Sequence, residues 1–93
     1  MSNLKVSRTV TIVNRRGLHA RAAAKFVTLA ESFSAAVEVI RGDQIVSAQS
    51  IMGLMMLGAG QGSEIEIIGD GNDAGEAIAA LVVLVGSGFG EAD

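Results

Sequence analysis

Between Lys5 and Val13 the apolar residues Val6, Val10 and Ile12 fall on one side at a period of two, with Arg8 as the misfit, in a run rich in Val, Ile and Thr. That alternation predicts a strand. The period changes after Ala20: Ala23, Phe26, Val27 and Ala30 recur at three and four residues and predict one apolar helix face that ends near Ser32. Ala35–Arg41 and Gln44–Ala48 read as two short strands around a Gly42-Asp43 turn, which makes a hairpin. Ser50 then stands as an N-cap residue before about two turns of apolar helix, closed by Gly58. From Ser63 to Gly69, Glu64, Ile65, Glu66 and Ile67 alternate as a strand with one wet face. Asp73 and Glu76 have the spacing of a capping box, and Ile78, Leu81, Val82 and Val85 form the inner stripe of a last helix that stops at Gly86.

The order strand, helix, strand, strand, short helix, strand, helix predicts an α+β fold, with four antiparallel strands covered on one face by helices. At 93 residues, 49% of them hydrophobic, the chain suits a single domain, 1–93, built on one core. The ends, 1–4 and 87–93, read as loose, although Phe89 is apolar enough to dock.

Composition narrows the function classes. Three Phe and no Trp or Tyr leave few platforms for stacking on bases, and a net charge of -3 without a basic stripe argues against nucleic acid as partner. The absence of cysteine excludes a disulfide framework, thiol catalysis and thiolate metal sites. No apolar run reaches the roughly 18 residues of a membrane span and no leader-like segment opens the chain, so a soluble, cytoplasmic, monomeric protein is expected. The glycines of "GAGQG" and "GDGNDAG" lack the continuation of a nucleotide loop, and Asp70, Asn72, Asp73 and Glu76 lack the twelve-residue calcium loop, so neither a cofactor nor a metal is expected. The tripeptide Arg41-Gly42-Asp43 is a turn by the same reasoning.

The chemistry concentrates at "NRRGLHARAAAKF", where His19, the only histidine, stands at a helix entrance between Gly17 and Arg21. Gly17 permits a left-handed backbone before the helix, and Leu18 is placed to anchor the turn. The first amides of the helix, those of Ala20, Arg21 and Ala22, lack intrahelical acceptors and favour an anion. A neutral imidazole there keeps a nucleophilic lone pair, and a phosphoryl group on it would meet those donors and the guanidinium fork of Arg21. Arg15 and Arg16 raise the local potential and steer an acidic partner. On spacing alone, a phosphoryl-bearing histidine and a merely solvated one both stand.

Two longer stretches, "GLHARAAAKFV" and "SAQSIMGLMMLGAGQGSEIEI", resemble the HPr family, the phosphocarrier proteins of the phosphoenolpyruvate-dependent phosphotransferase system. The likeness runs from about Lys5 to Phe89, and the ending "AIAALVVLVGSGF" looks most like the nitrogen branch, whose pathway is regulatory. The resemblance implies an open-faced β-sandwich, a four-stranded antiparallel sheet with three helices on one side. It also implies that His19 is phosphorylated at Nδ1 by enzyme I and emptied by an EIIA-type acceptor, and that Arg21 is the active-site arginine. Gly17 and the amides of Ala20 and Ala22 are the phosphate neighbours expected from the helix entrance, and Arg16, which replaces the neutral residue usual before the glycine, is either a second phosphate ligand or a steering charge. Ser50 falls on the family's regulatory serine, the target of an HPr kinase/phosphorylase. Ile51, Met52, Met55 and Met56 fall on the partner-docking surface, with Met52 and Met55 expected to face outward. Ala22 departs from the proline usual after the arginine, leaving the helix start more flexible with one extra donor. The chain so read is a carrier intermediate more than an autonomous enzyme. Two alternatives differ in class: a regulatory binding protein switched through Ser50 with His19 idle, and a small enzyme using His19 as general base. The second needs another titratable side chain beside His19, where the flanking sequence offers only arginines.

Overall fold

The computed structural model describes residues 4–91. Four strands, β1 (Lys5–Thr11), β2 (Ala36–Arg41), β3 (Gln44–Ser47) and β4 (Glu64–Asp70), make one sheet in the order β1-β4-β2-β3, with every neighbouring pair antiparallel. Three helices, α1 (Ala20–Glu31), α2 (Ile51–Met56) and α3 (Ala74–Gly86), complete the open-faced sandwich. The alternation dictates the layering. Val37, Val39, Ile65 and Ile67 point inward to join Phe26, Ile78 and Leu81 in the core, while Glu38, Glu64 and Asp70 stay on the wet face. Gly69 serves the packing of α3 on β4, because a Cβ there would lie 3.1 Å from Cγ1 of Ile78. The β2–β3 hairpin turns through Gly42 at φ +61, the positive φ that a two-residue turn needs at its first position.

The expected elements are present with small shifts at their ends, and two details differ. Asp73 does stand at the N-cap of α3, but its side chain caps nothing in that helix. Its carboxylate reaches back to the turn between α1 and β2 and accepts the backbone N–H groups of Ser34 and Ala35, both at 2.8 Å. The two turns are packed tightly enough that a Cβ on Gly71 would meet Cα of Ala35 at 2.9 Å. Two amides of a distant turn thus take the carboxylate in place of the helix's own, and the capping box with Glu76 does not form.

The second difference is at the chain end. The expected loose segment from residue 87 onward is folded as far as Glu91: Gly88–Gly90 form a tight turn, and Phe89 is wholly buried in the core. Burial of one large ring outweighs the freedom of its glycine neighbours. At the other end, Leu4 is exposed, and positions 1–3 and 92–93 lie outside the described residues.

The Asp73 bridge titrates. Hydrogen bonding from Ser34 holds its carboxyl below the ordinary value of 3.8, burial opposes this, and Ala35 adds to the lowering. A depressed carboxyl stabilises the fold above its unfolded-state value and loses that contribution as pH falls through the folded value. Asp73→Asn should therefore melt below the wild type at pH 7, and the gap should close below about pH 3.8 as the wild-type carboxylate protonates; thermal melts of both proteins across that range check it.

Candidate functional site

The chain leaves β1 and descends to α1 through residues 12–19, a loop held on both sides. The Ile12 amide donates to the Ser63 carbonyl and its carbonyl accepts from Gly62, each at 2.8 Å. Farther on, the Leu18 amide donates to the Ala59 carbonyl at 3.0 Å. Gly17 makes that approach possible: its φ is +63, and a Cβ would sit 2.3 Å from the Ala59 carbonyl oxygen. Leu18 is buried beneath the turn, as expected.

His19 is the N-cap residue of α1, with extended backbone and no capping bond from its side chain. The helical ladder begins with the Ala23 amide donating to the His19 carbonyl at 2.9 Å, so the amides of Ala20, Arg21 and Ala22 precede it. No acidic residue occupies the first turn. The imidazole is 21% exposed and borders a cleft of about 310 Å³ shared with Arg16, Leu18, Met55 and the Gly58-Ala59-Gly60 backbone.

Glu91 is the residue that sequence reasoning missed. It lies 72 positions from His19, yet its Oε2 is hydrogen-bonded to the ring Nε2. A carboxylate accepts, so Nε2 carries a proton, and whenever the ring is neutral the lone pair is on Nδ1. The expectation that only arginines flank His19 is thereby corrected, since chain folding supplies a titratable neighbour that local spacing cannot reveal. Hydrogen bonds from His19 and then from Asn14 hold the Glu91 carboxyl below the usual carboxylate range, with burial opposing and the charges of His19 and Arg16 adding to the effect.

Glu91 is delivered by a left-handed turn. Gly88, Phe89 and Gly90 have φ of 66°, 58° and 72°. For Phe89 that conformation costs about 1–2 kcal/mol, and a fully buried ring offsets it by about 1.5–3. The Phe89 carbonyl also accepts from Lys25 Nζ on α1 at 2.7 Å. The buried Phe was the one signal in the sequence that this end is anchored.

The other site residues separate into groups. Arg21 is exposed and makes no hydrogen bond to any described residue; it lies along a larger, mostly apolar cleft of about 550 Å³ with Ala24, Lys25, Thr28, Leu29 and Leu84. The smaller cleft is the one that His19 borders. Arg16 is exposed beside Glu91, whereas Ala20 is exposed at the helix mouth. Two expected phosphate neighbours are not open to a ligand. Ala22 is wholly buried in the core, and buried Gly17 donates its amide to the Asn14 carbonyl at 3.2 Å, so its role is the turn itself. On α2, Ile51, Met52, Met55 and Met56 are all exposed while Leu54 is buried. Met56 at 70% stands out as far as Met52 at 69%, and Met55 at 40% leans toward the His19 cleft. Ser50 is half-buried and caps α2 by accepting the Gly53 amide at 2.8 Å.

An open-faced sandwich with one histidine at the mouth of its first helix defines a class of phosphoryl-carrying domains. Comparison with known proteins agrees: the family described as "PTS HPr component phosphorylation site" matches residues 6–87. The chain is 46% identical to the phosphocarrier protein NPr of Shewanella violacea, covering 95% of this chain and 97% of that one. It is 47% identical to the phosphocarrier protein HPr of Cupriavidus necator, covering 95% and 99%. Among solved structures, HPr-C-His from Thermoanaerobacter tengcongensis matches with a TM-score of 0.90 at 45% identity, covering 95% of this chain and 99% of that one. The chain belongs to the HPr family of phosphotransferase-system phosphocarriers.

Because the site depends on the close passage of Gly17 over Ala59, Gly17→Ala should lower stability by at least about 1–2 kcal/mol from the left-handed backbone alone, before any clash with the Ala59 carbonyl. A urea denaturation midpoint indistinguishable from the wild type would contradict this account of the loop.

Proposed function

We propose that His19 accepts a phosphoryl group at Nδ1 from phosphorylated enzyme I and passes it to an EIIA-type protein in the cytoplasm, within a regulatory, nitrogen-type branch. The observation that carries the reading is the setting of the ring: Nε2 is engaged by a carboxylate, Nδ1 bonds to no described residue, and the imidazole is partly exposed at a helix N-terminus. Such a nitrogen is nucleophilic without a proton having to leave it first.

Energetic comparison gives the larger role to Arg21. The helix end contributes about 0.3–1 kcal/mol to an exposed anion, whereas a hydrogen bond to a charged group contributes about 1.5–3. Arg21 can swing onto phosphate oxygens without breaking an ion pair to any described residue. Ala20 offers an amide at the mouth, and Arg16 adds positive potential. Transfer is in-line at phosphorus, with positioning and electrostatics supplying the acceleration.

In this proposal partners dock over the methionines of α2. Exposed Met52, Met55 and Met56 give a flexible apolar surface suited to binding several proteins in turn. Ser50 acts on docking and not on chemistry: a phosphate there would displace the cap acceptor and repel an acidic partner. The nitrogen-type assignment is supported by the chain ending, while relatives of both names match at nearly equal identity; labelling of a nitrogen-type EIIA in preference to a sugar-type EIIA checks it.

With a matched enzyme I and phosphoenolpyruvate, the wild type should acquire an acid-labile label that His19→Ala lacks. Arg21→Ala should slow labelling at least about tenfold, equivalent to 1.4 kcal/mol. Acid-stable label, or full labelling of His19→Ala, would place the phosphate elsewhere and refute the assignment.

A further inference from the structure

Asn14 is the one buried polar side chain among the described residues, at 2% exposure. Its Nδ2 donates to the Gly17 carbonyl at 2.9 Å and to Glu91 Oε1 at 3.0 Å, while its Oδ1 has no partner among those residues. Burying an unpaired polar oxygen costs about 1–3 kcal/mol. An apolar residue would avoid that cost, so the value of this amide lies in its two donors. Its orientation is forced, because a carbonyl and a carboxylate both accept and only the NH2 end can face them. The other Glu91 oxygen takes the Nε2–H of His19. Asn14 therefore governs how the carboxylate meets the ring.

We propose that Asn14 and Glu91 are a positioning pair that holds His19 as the Nε2–H tautomer and balances the positive charge the ring gains when Nδ1 bonds to phosphorus. The inference rests on the phosphocarrier reading. In acceptance, the Nδ1 lone pair forms the new N–P bond as the donor's bond to phosphorus breaks and its electron pair leaves with the donor. The ring, still carrying its Nε2 proton, becomes a phosphoimidazolium facing the Glu91 carboxylate. In donation, a lone pair of the acceptor's nucleophile bonds to phosphorus as the N–P bond breaks, the N–P electron pair returns to Nδ1, and a neutral imidazole departs. Without the Nε2 proton the departing group would be an imidazolate, a far poorer leaving group. One carboxylate thus assists both directions, and neither requires a proton to move.

Glu91→Gln tests the pair, because it keeps the shape and removes the charge. Asn14 donates, so it will capture the Gln oxygen and turn the Gln NH2 toward His19. Nε2 must then accept, and the ring proton moves to Nδ1, where it blocks the nucleophile. The 15N spectrum of ring-labelled, unphosphorylated protein at alkaline pH should show protonated Nε2 in the wild type and protonated Nδ1 in Glu91→Gln. Phosphoryl transfer from enzyme I should fall about a hundredfold or more, in the sense of the wrong-tautomer loss seen when a triad Asp becomes Asn. The double variant Asn14→Ala/Glu91→Gln frees the amide to turn its oxygen to Nε2–H, and should regain that tautomer and part of the rate. A role in folding alone would leave the double variant slower than the single one. Retention of Nε2–H with wild-type transfer in Glu91→Gln, or a double variant that melts normally and is slower, overturns the proposal. If the double variant melts early, the Glu91→Gln spectrum decides alone. Failure of the wild type to take label would refute the phosphocarrier reading instead, while the tautomer measurement, made without any phosphoryl donor, still judges the pair.

Discussion

The passage of residues 12–18 against the loop at 59–63 is the constraint on which the site depends. A helix N-terminus attracts an anion only if its amides stay open, yet a helix start hanging on a free loop would have no fixed direction. Three backbone hydrogen bonds across the two loops, and a glycine with no room for a side chain, fix that direction without occupying the helix mouth. The cross-loop bonds also bring the end of α2 beside the histidine, with Met55 and the Ala59 backbone lining the same cleft. The histidine and the exposed methionines of α2 are placed together by one contact between loops carried on a sheet and a core.

Within that frame the two principal side chains are treated differently. His19 is held by its ring nitrogen, whereas Arg21 is exposed and makes no hydrogen bond or ion pair with any described residue. The difference fits their tasks. A nucleophile gains from being fixed at the attacking angle, since misplacement costs rate steeply. A phosphate clamp gains from engaging only when charge arrives. Ordering a long side chain then costs up to about 1.5–2 kcal/mol, which bidentate hydrogen bonds to phosphate can outweigh. A resting salt bridge at Arg21 would have to be broken at each transfer.

Much of the fold was legible because its signals are local. Period two in Glu64–Ile67, period three to four in Ala23–Ala30 and the glycine turn at Gly42 each lie within one element, and the structure agrees on all of them. His19 and Arg21 stood out as candidates for the same reason, being two residues apart at a predicted helix start, and the structure begins that helix at Ala20, between them. What was missed is non-local. Asp73 has a plausible cap partner three residues on, and nothing in sequence reveals that amides 38 and 39 positions away lie closer. Glu91 sits in a glycine-rich ending with no periodicity, far from His19 along the chain. Asn14 reads as an ordinary loop residue until its burial is known. Ala22 and Gly17 were placed at the right end of the helix, but adjacency along the backbone does not say which atoms face solvent, and both turn out to be covered.

The distant origin of the Glu91 carboxylate follows from electrostatics. A carboxylate at the start of α1 would gain from the helix dipole, and acidic residues favour that position for this reason. In this helix the first turn has none, which suits the proposed carrier role, since a carboxylate there would occupy the amides that a phosphoryl group needs and repel it. The ring nevertheless requires a negative partner to fix its proton and balance its charge. Supplying that partner from the chain end, against Nε2, would set the imidazole of the proposed phosphorylated form between two anions, with the carboxylate on one nitrogen and the phosphoryl group on the other. The left-handed conformation of Phe89 is then the local cost of bringing a carboxylate to the one edge of the ring where it does not compete with the phosphoryl group.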